Sequence, residues 1–229
     1  MTLKINSWRG IVKWGLLGLV LVLFLTFFVK VATYEDAYFK EKHGSERAVA
    51  TEKVEEREEL VEVEPTENEV REWTVAADRP RYLSVEKLGV TKARVLPVKI
   101  NSNGELGTPN NIFDVGWYES SGKPGQGKTM LIDGHNGGPH VKGVFKNLPE
   151  LENGDKITVE RGDGAVFVYE VVENVAVPLD QSDMYMATAM RSPVGGKESV
   201  TLISCTGEWS AVQGTYLSRQ FTRAVLLES

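Results

Sequence analysis

The sequence is poor in the residues that build disulfide frameworks and metal sites. Its 229 residues include one cysteine and three histidines. A single thiol excludes an intramolecular disulfide framework and any zinc or iron–sulfur site made of several cysteines. Basic residues are also outnumbered, 26 to 32, which gives a net charge of −6. The chain therefore lacks the basic character that is typical of nucleic-acid-binding domains.

Acidic residues are missing from the start of the chain, where none precedes Glu35. Three basic residues lead into a run of sixteen uncharged residues, 14–29. As a helix, residues 11–31 would measure about 31 Å, which is long enough to span a membrane. A cleaved signal peptide is the alternative, but this run is longer than a usual signal core and a poor cleavage sequence follows it. The basic residues before the span place the N-terminus in the cytoplasm and residues from about 33 onward outside.

The next segment is strongly acidic. Residues 35–72 contain fourteen acidic and six basic residues. Mutual repulsion and sparse apolar positions predict a solvated stalk, extended or partly helical. The chain thus divides into a cytoplasmic N-terminus at 1–10, a transmembrane helix at 11–31, an acidic extracellular stalk at 32–75 and a C-terminal domain at 76–229.

The C-terminal domain has the sequence texture of an all-β protein. Short β-branched and aromatic runs alternate with glycine, proline and asparagine, and eight of them predict strands at 81–85, 93–100, 114–118, 128–133, 155–161, 165–172, 199–205 and 218–227. The turn Gly162-Asp163-Gly164 joins the clearest hairpin. Residues 182–191 predict the one helix of any length, and residues 144–151 a short turn. Eight strands with few helices predict a barrel or a sandwich.

Cys205 is the most informative reactive residue, because it ends an apolar strand just before a turn. One interpretation is a small buried side chain without chemistry, which is common for free cysteine. Outside the membrane, however, a free thiol is exposed to oxidants, so a cysteine at a strand end there favours a functional role for the thiol. A catalytic cysteine needs a nearby imidazole or guanidinium, since only about 3% of an unperturbed thiol is ionised at pH 7.

His135 is the first candidate partner. It also ends an apolar strand, at the start of a glycine loop in the segment LIDGHNGG, although a surface histidine fits this position as well. His140 is a weaker candidate, and His43 lies in the stalk. A metal site of Asp133, His135 and His140 is another interpretation, but the irregular loop between them gives no ligand geometry.

Two arginines in the last strand are the candidate cations. Arg219 and Arg223 point to one face of an extended strand, and the plain interpretation is a pair of surface charges on an edge strand.

Taken together, these residues resemble a known family. A strand TLISC that ends in cysteine, an upstream strand that ends in GH, and an arginine fourteen residues after the cysteine are similar to the His/Cys/Arg signature of the sortases. Sortases are membrane-anchored cysteine transpeptidases of bacterial surfaces. The likeness covers most of residues 79–227 and includes FKNLPELENGDKITV before a YEV strand. Ser204 stands where the family usually has threonine, and the register favours Arg219 over Arg223.

The resemblance implies a closed or nearly closed eight-stranded β-barrel and a set of roles. Cys205 would attack a sorting signal similar to Leu-Pro-x-Thr-Gly and form a thioester, His135 would act as acid and base, Arg219 would stabilise the oxyanion, and Ser204 would help to position the substrate. No cofactor or metal is implied. The expected partners are surface proteins with a C-terminal sorting signal and an amine of peptidoglycan or a pilin, and no nucleic acid.

Two other functions stay open at this stage. One alternative is a cysteine hydrolase or peptidoglycan transpeptidase of another fold. The other is a membrane-tethered β-domain that binds a partner while Cys205 remains buried and inert. The reactivity of the thiol in the folded protein distinguishes the binding domain from both enzymes.

The predicted topology is testable in intact cells. Because basic residues precede the span and a cleavage site is poorly matched, we expect the full chain in the membrane fraction, with its C-terminal domain cut by externally added protease. Protection of that domain, or recovery of a soluble mature form that begins near Ala32, would contradict the anchor.

Overall fold

The computed structural model describes residues 60–102 and 104–227 of the chain. Within these residues eight strands form one closed barrel in the order β1-β2-β3-β4-β7-β8-β6-β5. Their bounds are β1 Pro80–Val85, β2 Val90–Val98, β3 Val115–Tyr118, β4 Thr129–Gly134, β5 Lys156–Arg161, β6 Val166–Pro178, β7 Ser199–Ser210 and β8 Thr215–Leu226. Neighbouring strands are antiparallel except β2 with β3 and β4 with β7, which are parallel. The predicted all-β fold with an eight-stranded closed barrel is confirmed.

Helices are few and short in the described part of the chain. α1 spans Glu67–Glu72 and α2 spans Leu179–Ala189, with two 3-10 turns at Glu86–Leu88 and Leu148–Glu150. α2 begins three residues before the predicted helix, directly after Pro178. A proline at this point fixes the backbone but provides no side-chain cap, which is why a search for capping residues placed the start too late.

Two apolar clusters hold the barrel together. The interior is filled by side chains such as Leu83, Trp117, Ile132, Tyr169 and Leu202, all nearly inaccessible to solvent. The second cluster packs α2 against the outer face of the sheet and contains Leu131, Val177, Ala189, Ile203 and Phe221. Each such side chain contributes about 1.5–3 kcal/mol when fully buried. Because both faces are covered here, all six residues of β4 and the first six of β7 are buried, rather than every second residue.

The predicted hairpin is formed by β5 and β6. Gly164 adopts a φ of 88° at the turn, a conformation that disfavours residues with a side chain. The Asp163 carboxylate accepts from the Ala165 amide at 3.1 Å and from the Arg161 guanidinium at 2.8 Å. These bonds fix the register of the two strands.

The end of the predicted stalk lies against the barrel. Thr66 and Glu69 form a capping box that starts α1. The Arg81 side chain of β1 donates to the Trp73 carbonyl at 2.8 Å, and the Tyr82 hydroxyl donates to the Val70 carbonyl. Glu59–Ser229 is one compact unit. The folded part of the chain thus extends upstream of residue 76.

The predicted transmembrane helix at 11–31 and the first part of the stalk lie outside the described residues. Among the residues that are described, no helix has the length and apolar character needed to cross a membrane.

A buried carboxylate joins three parts of the barrel. Glu198, just before β7, accepts hydrogen bonds from the Gly125 amide at 2.9 Å, the Gly127 amide at 2.7 Å and the Tyr169 hydroxyl at 2.7 Å. The residue is 6% exposed. Its two oxygens therefore accept three hydrogen bonds, one of them from the fully buried Tyr169 hydroxyl, so the buried carboxylate does not lack donors.

We expect Glu198→Gln to lower the free energy of unfolding by about 2 kcal/mol, because the bonds to a charged acceptor become bonds to a neutral one and the amide nitrogen, which cannot accept, faces one of the three donors. Urea unfolding at constant m-value measures the change. Tyr169→Phe, which removes one donor and leaves the carboxylate bonded twice, serves as the milder control. Equal midpoints for the wild type and Glu198→Gln would contradict this role.

Candidate active site

The candidate site lies where β4 ends beside β7. β7 continues to Ser210, so Cys205 lies within its strand and not at the strand end that the sequence predicted. These parallel strands pair Asp133 with Ile203, and extending this register by two residues puts the backbone of His135, just after β4, level with that of Cys205. Two hydrogen bonds fasten the strand ends. The Ser204 hydroxyl donates to the Gly134 carbonyl at 2.9 Å, and the Asn136 amide nitrogen donates to the Cys205 carbonyl at 2.7 Å. Residues seventy positions apart in the chain are thereby brought together.

Cys205 is a half-buried free thiol. Burial raises the pKa of the thiol, the nearby positive charge of Arg219 lowers it, and the negative charge of Asp133 raises it. Since burial is the largest of these effects, the resting side chain is the uncharged thiol at neutral pH.

His135 is held by the chain segment that precedes β3. Its Nε2 lies 2.8 Å from the carbonyl oxygen of Pro109. A carbonyl can only accept, so Nε2 carries the proton and Nδ1 is the basic nitrogen of the neutral ring. Burial lowers the pKa of the imidazole, and the bond to Pro109 raises it by a smaller amount. The resting ring is therefore neutral at pH 7, with Nδ1 able to take up a proton.

Arg219 lies directly across the β7–β8 ladder from Cys205. Directly opposed residues of an antiparallel pair project to the same face of the sheet. The guanidinium donates to the Tyr216 carbonyl at 3.0 Å, the Ser218 carbonyl at 3.1 Å and the Thr215 hydroxyl at 3.2 Å. These bonds hold a permanent positive charge beside the thiol.

Arg223 occupies a different environment. It lies four residues along β8, about 13 Å from Arg219. It is 6% exposed, forms an ion pair with Glu173, and donates to the main-chain carbonyls of Thr188 and Arg191 at 3.2 and 2.9 Å. Arg223 thus fastens the end of α2 to the barrel, and the structure brings Arg219 rather than Arg223 to Cys205.

The other predicted residues are placed as follows. His140 is exposed, and its main-chain amide donates to the Glu62 carboxylate at 3.0 Å. His43 lies outside the described residues. Ser204 is 4% exposed, with its hydroxyl directed to the main chain of β4, so its part in holding substrate stays a prediction. Among the described residues, no group of three potential metal ligands occurs.

Four residues near the site were not given these roles by sequence reasoning. Asn136 bridges Cys205 and Lys146, whose Nζ donates to the Asn136 side-chain oxygen at 3.0 Å. Pro109 holds the imidazole, and Asp133 lies buried beside the thiol. Asn136 and Asp133 flank the GH motif in the sequence, and this position next to His135 was the signal from which both could have been predicted. The approach of Pro109 depends on how the segment between β2 and β3 folds.

The sortase-domain family model matches residues 83–226. The chain belongs to the sortase family, whose members are cysteine transpeptidases. The resemblance seen in the sequence is confirmed. No curated protein matches the chain.

Several solved sortase structures are similar to this sortase. One is a sortase A from Actinomyces oris, at 20% identity and a TM-score of 0.47, covering 68% of this chain and 83% of its own. A sortase C from Streptococcus pneumoniae has 17% identity and a TM-score of 0.48, covering 75% and 80%. A sortase D5 transpeptidase from Clostridium perfringens has 21% identity and a TM-score of 0.46, covering 72% and 90%.

The two arginines of this sortase should differ in their effect on stability. We expect Arg223→Ala to lower the free energy of unfolding by about 2 kcal/mol, because it leaves a charge and two main-chain acceptors without their buried donor. Arg219→Ala should change it by less than about 1 kcal/mol, since its partners lie near the surface. Chemical unfolding of both variants measures this. The reverse ranking would show that Arg219 is the structural residue.

Proposed function

We propose that this sortase cleaves a sorting signal similar to Leu-Pro-x-Thr-Gly between threonine and glycine and transfers the acyl group to an amine of the cell wall or of a surface or pilus protein. Residues 11–31 anchor it in the membrane, with the barrel outside. The observation that carries the proposal is the position of Cys205, with Arg219 across one ladder and His135 at the end of the neighbouring parallel strand.

The first half of the reaction makes a thioester. The Cys205 thiol gives its proton to Nδ1 of His135, and the sulfur attacks the threonine carbonyl carbon. The carbonyl oxygen becomes an oxyanion, which the Arg219 guanidinium stabilises with its N–H donors. As the carbon–nitrogen bond breaks, His135 returns the proton to the departing glycine amine. A thioester on Cys205 and a free amine are the products.

The second half runs the same steps in reverse with a new amine. The incoming amine attacks the thioester carbonyl and loses a proton to Nδ1 of His135. The sulfur then leaves as the carbon–sulfur bond breaks, and His135 restores its proton. Water in place of the amine would give hydrolysis, so exclusion of water from the site determines the balance between transfer and cleavage.

Cys205 and His135 both start uncharged, which is the state that this proton transfer requires. A neutral imidazole is ready to accept the thiol proton, and the pKa shifts of Cys205 and His135 both favour that starting state. Arg219 supplies the charge that the neutral pair lacks.

A peptide without an amine acceptor tests the covalent step. Folded wild-type protein should gain the acyl mass on the peptide that contains Cys205, because thioester formation needs only the thiol, the acid and the oxyanion site. Cys205→Ala should fold and show no adduct, and His135→Ala should form the adduct very slowly.

Arg219→Ala should slow turnover about hundredfold, equivalent to about 3 kcal/mol, because the oxyanion loses its donor. Arg219→Lys should restore the rate only in part, since lysine lacks the planar set of N–H donors.

The matched controls are the second histidine and the second arginine. His140→Ala and Arg223→Ala, where the latter is folded, should keep most of the activity. An adduct on another residue would end the cysteine mechanism. A thiol that no water-soluble alkylating reagent reaches in the folded protein, without any adduct, would support the binding-domain alternative.

A further inference from the structure

Asp133 is a buried carboxyl group that the mechanism above does not use. It lies in β4, directly beside Ile203 of β7 and opposite Gly116 of β3. The residue is 8% exposed, and one of its oxygens, Oδ1, has no hydrogen-bond partner among the described residues. The Thr108 side chain bonds the carboxyl group from the segment that covers it. A buried carboxyl group with one unsatisfied oxygen lowers the stability of the folded state, so its presence at this position indicates a functional role.

The strand register relates Asp133 to the thiol. Paired residues of parallel strands project to the same face, so Asp133 and Ile203 share a face, and Cys205 follows two residues later on that face. With strands about 4.8 Å apart and a rise of about 3.3 Å per residue, the two Cα atoms lie about 8 Å apart. At this separation a buried charge acts on the thiol with little screening by solvent.

We propose that Asp133 makes the Cys205 thiol less acidic: its carboxylate adds to the effect of burial in keeping the thiol protonated, and removal of that charge makes the thiol ionise more readily. Asp133 acts through Cys205 and does not itself touch the substrate. The inference rests on the proposed function only in taking Cys205 as the nucleophile.

Several charges surround the thiol on the packed elements. Arg219 of β8 favours the thiolate, and His135 at the end of β4 accepts the thiol proton. Lys146 reaches this edge through Asn136, while Thr108 above Asp133 carries no charge. Asp133 is the negative group among these residues, so it opposes the two cations.

The pH range follows from the carboxyl group itself. Burial raises the pKa of Asp133 to about 7, against smaller lowering effects of the bond from Thr108 and of a main-chain bond. The group is therefore neutral below about pH 7 and charged above it. Because its charge raises the pKa of Cys205, the thiol is protected most at the alkaline end, where an isolated thiol would begin to ionise. A thiol in the protonated form reacts more slowly with oxidants and electrophiles.

The test is the pH dependence of alkylation by iodoacetamide in the full chain, which is unambiguous because the protein has a single cysteine. We expect Asp133→Asn to shift the midpoint of the rate profile to lower pH and to raise the rate at pH 8 about tenfold, which corresponds to one pKa unit for a charge at about 8 Å. Glu208→Gln is the matched control. It removes an exposed carboxylate three residues from the thiol, whose charge water screens, and should leave the profile unchanged.

Thr108 provides a second variant that keeps the carboxyl group. Thr108→Val removes the bond that favours the carboxylate, so it should raise the pKa of Asp133 and speed alkylation between pH 7 and 8, while matching the wild type at pH 10. Thr108→Ser retains the hydroxyl and should behave as the wild type.

The proposal is overturned if the Asp133→Asn profile coincides with the wild-type profile or moves to higher pH. If Asp133→Asn does not fold, an unchanged Thr108→Val profile overturns it. Acyl-enzyme formation with an unchanged alkylation profile would reject this inference and keep the proposed function. A shifted profile without any peptide cleavage would do the opposite.

Discussion

The parallel pairing of β4 with β7 is the constraint on which the candidate site depends. Parallel strands run in the same direction, so the residue that follows β4 lies level with the part of β7 just beyond the last paired residue. His135 and Cys205 occupy these positions. The antiparallel pairing of β7 with β8 then adds Arg219 from the opposite chain direction. One long strand, β7, thus carries Cys205 and has His135 on one side and Arg219 on the other.

The site combines a rigid floor with an irregular cover. The floor is rigid because β4, β7 and β8 are packed on both faces, by the barrel interior and by the cluster under α2. The cover is the segment around Thr108 and Pro109, which lies between β2 and β3 and bonds both Asp133 and His135. Such a division is suited to catalysis, since reacting atoms need fixed positions while a peptide needs a way in.

The sequence predicted most of the barrel, because β-branched runs and glycine turns are local signals. Cys205 and His135 were selected for their chemistry at predicted strand ends, although β7 continues beyond Cys205 to Ser210. The pairing of β4 with β7 could not be predicted in the same way, since strands separated by seventy residues leave no local pattern. Residues 60–75 were assigned to the stalk for a related reason. Their acidic composition obscures the few residues that attach them to the barrel, among them Val70 and Trp73, whose carbonyls accept hydrogen bonds from Tyr82 and Arg81 of β1.

Gly116 and Asp133 are linked by lack of space. A Cβ atom on Gly116 would lie 2.4 Å from Oδ1 of Asp133 and 2.9 Å from a methyl group of Val98. Glycine is needed here for room rather than for backbone freedom, and the larger side chain occupies the space that it leaves. Alanine or any larger residue at 116 would require the Asp133 carboxyl group to move or be replaced by a smaller side chain, and Val98 to shift slightly. Among related sequences we therefore expect these two positions to vary together, so that the order in which the substitutions arise determines which evolutionary paths stay open.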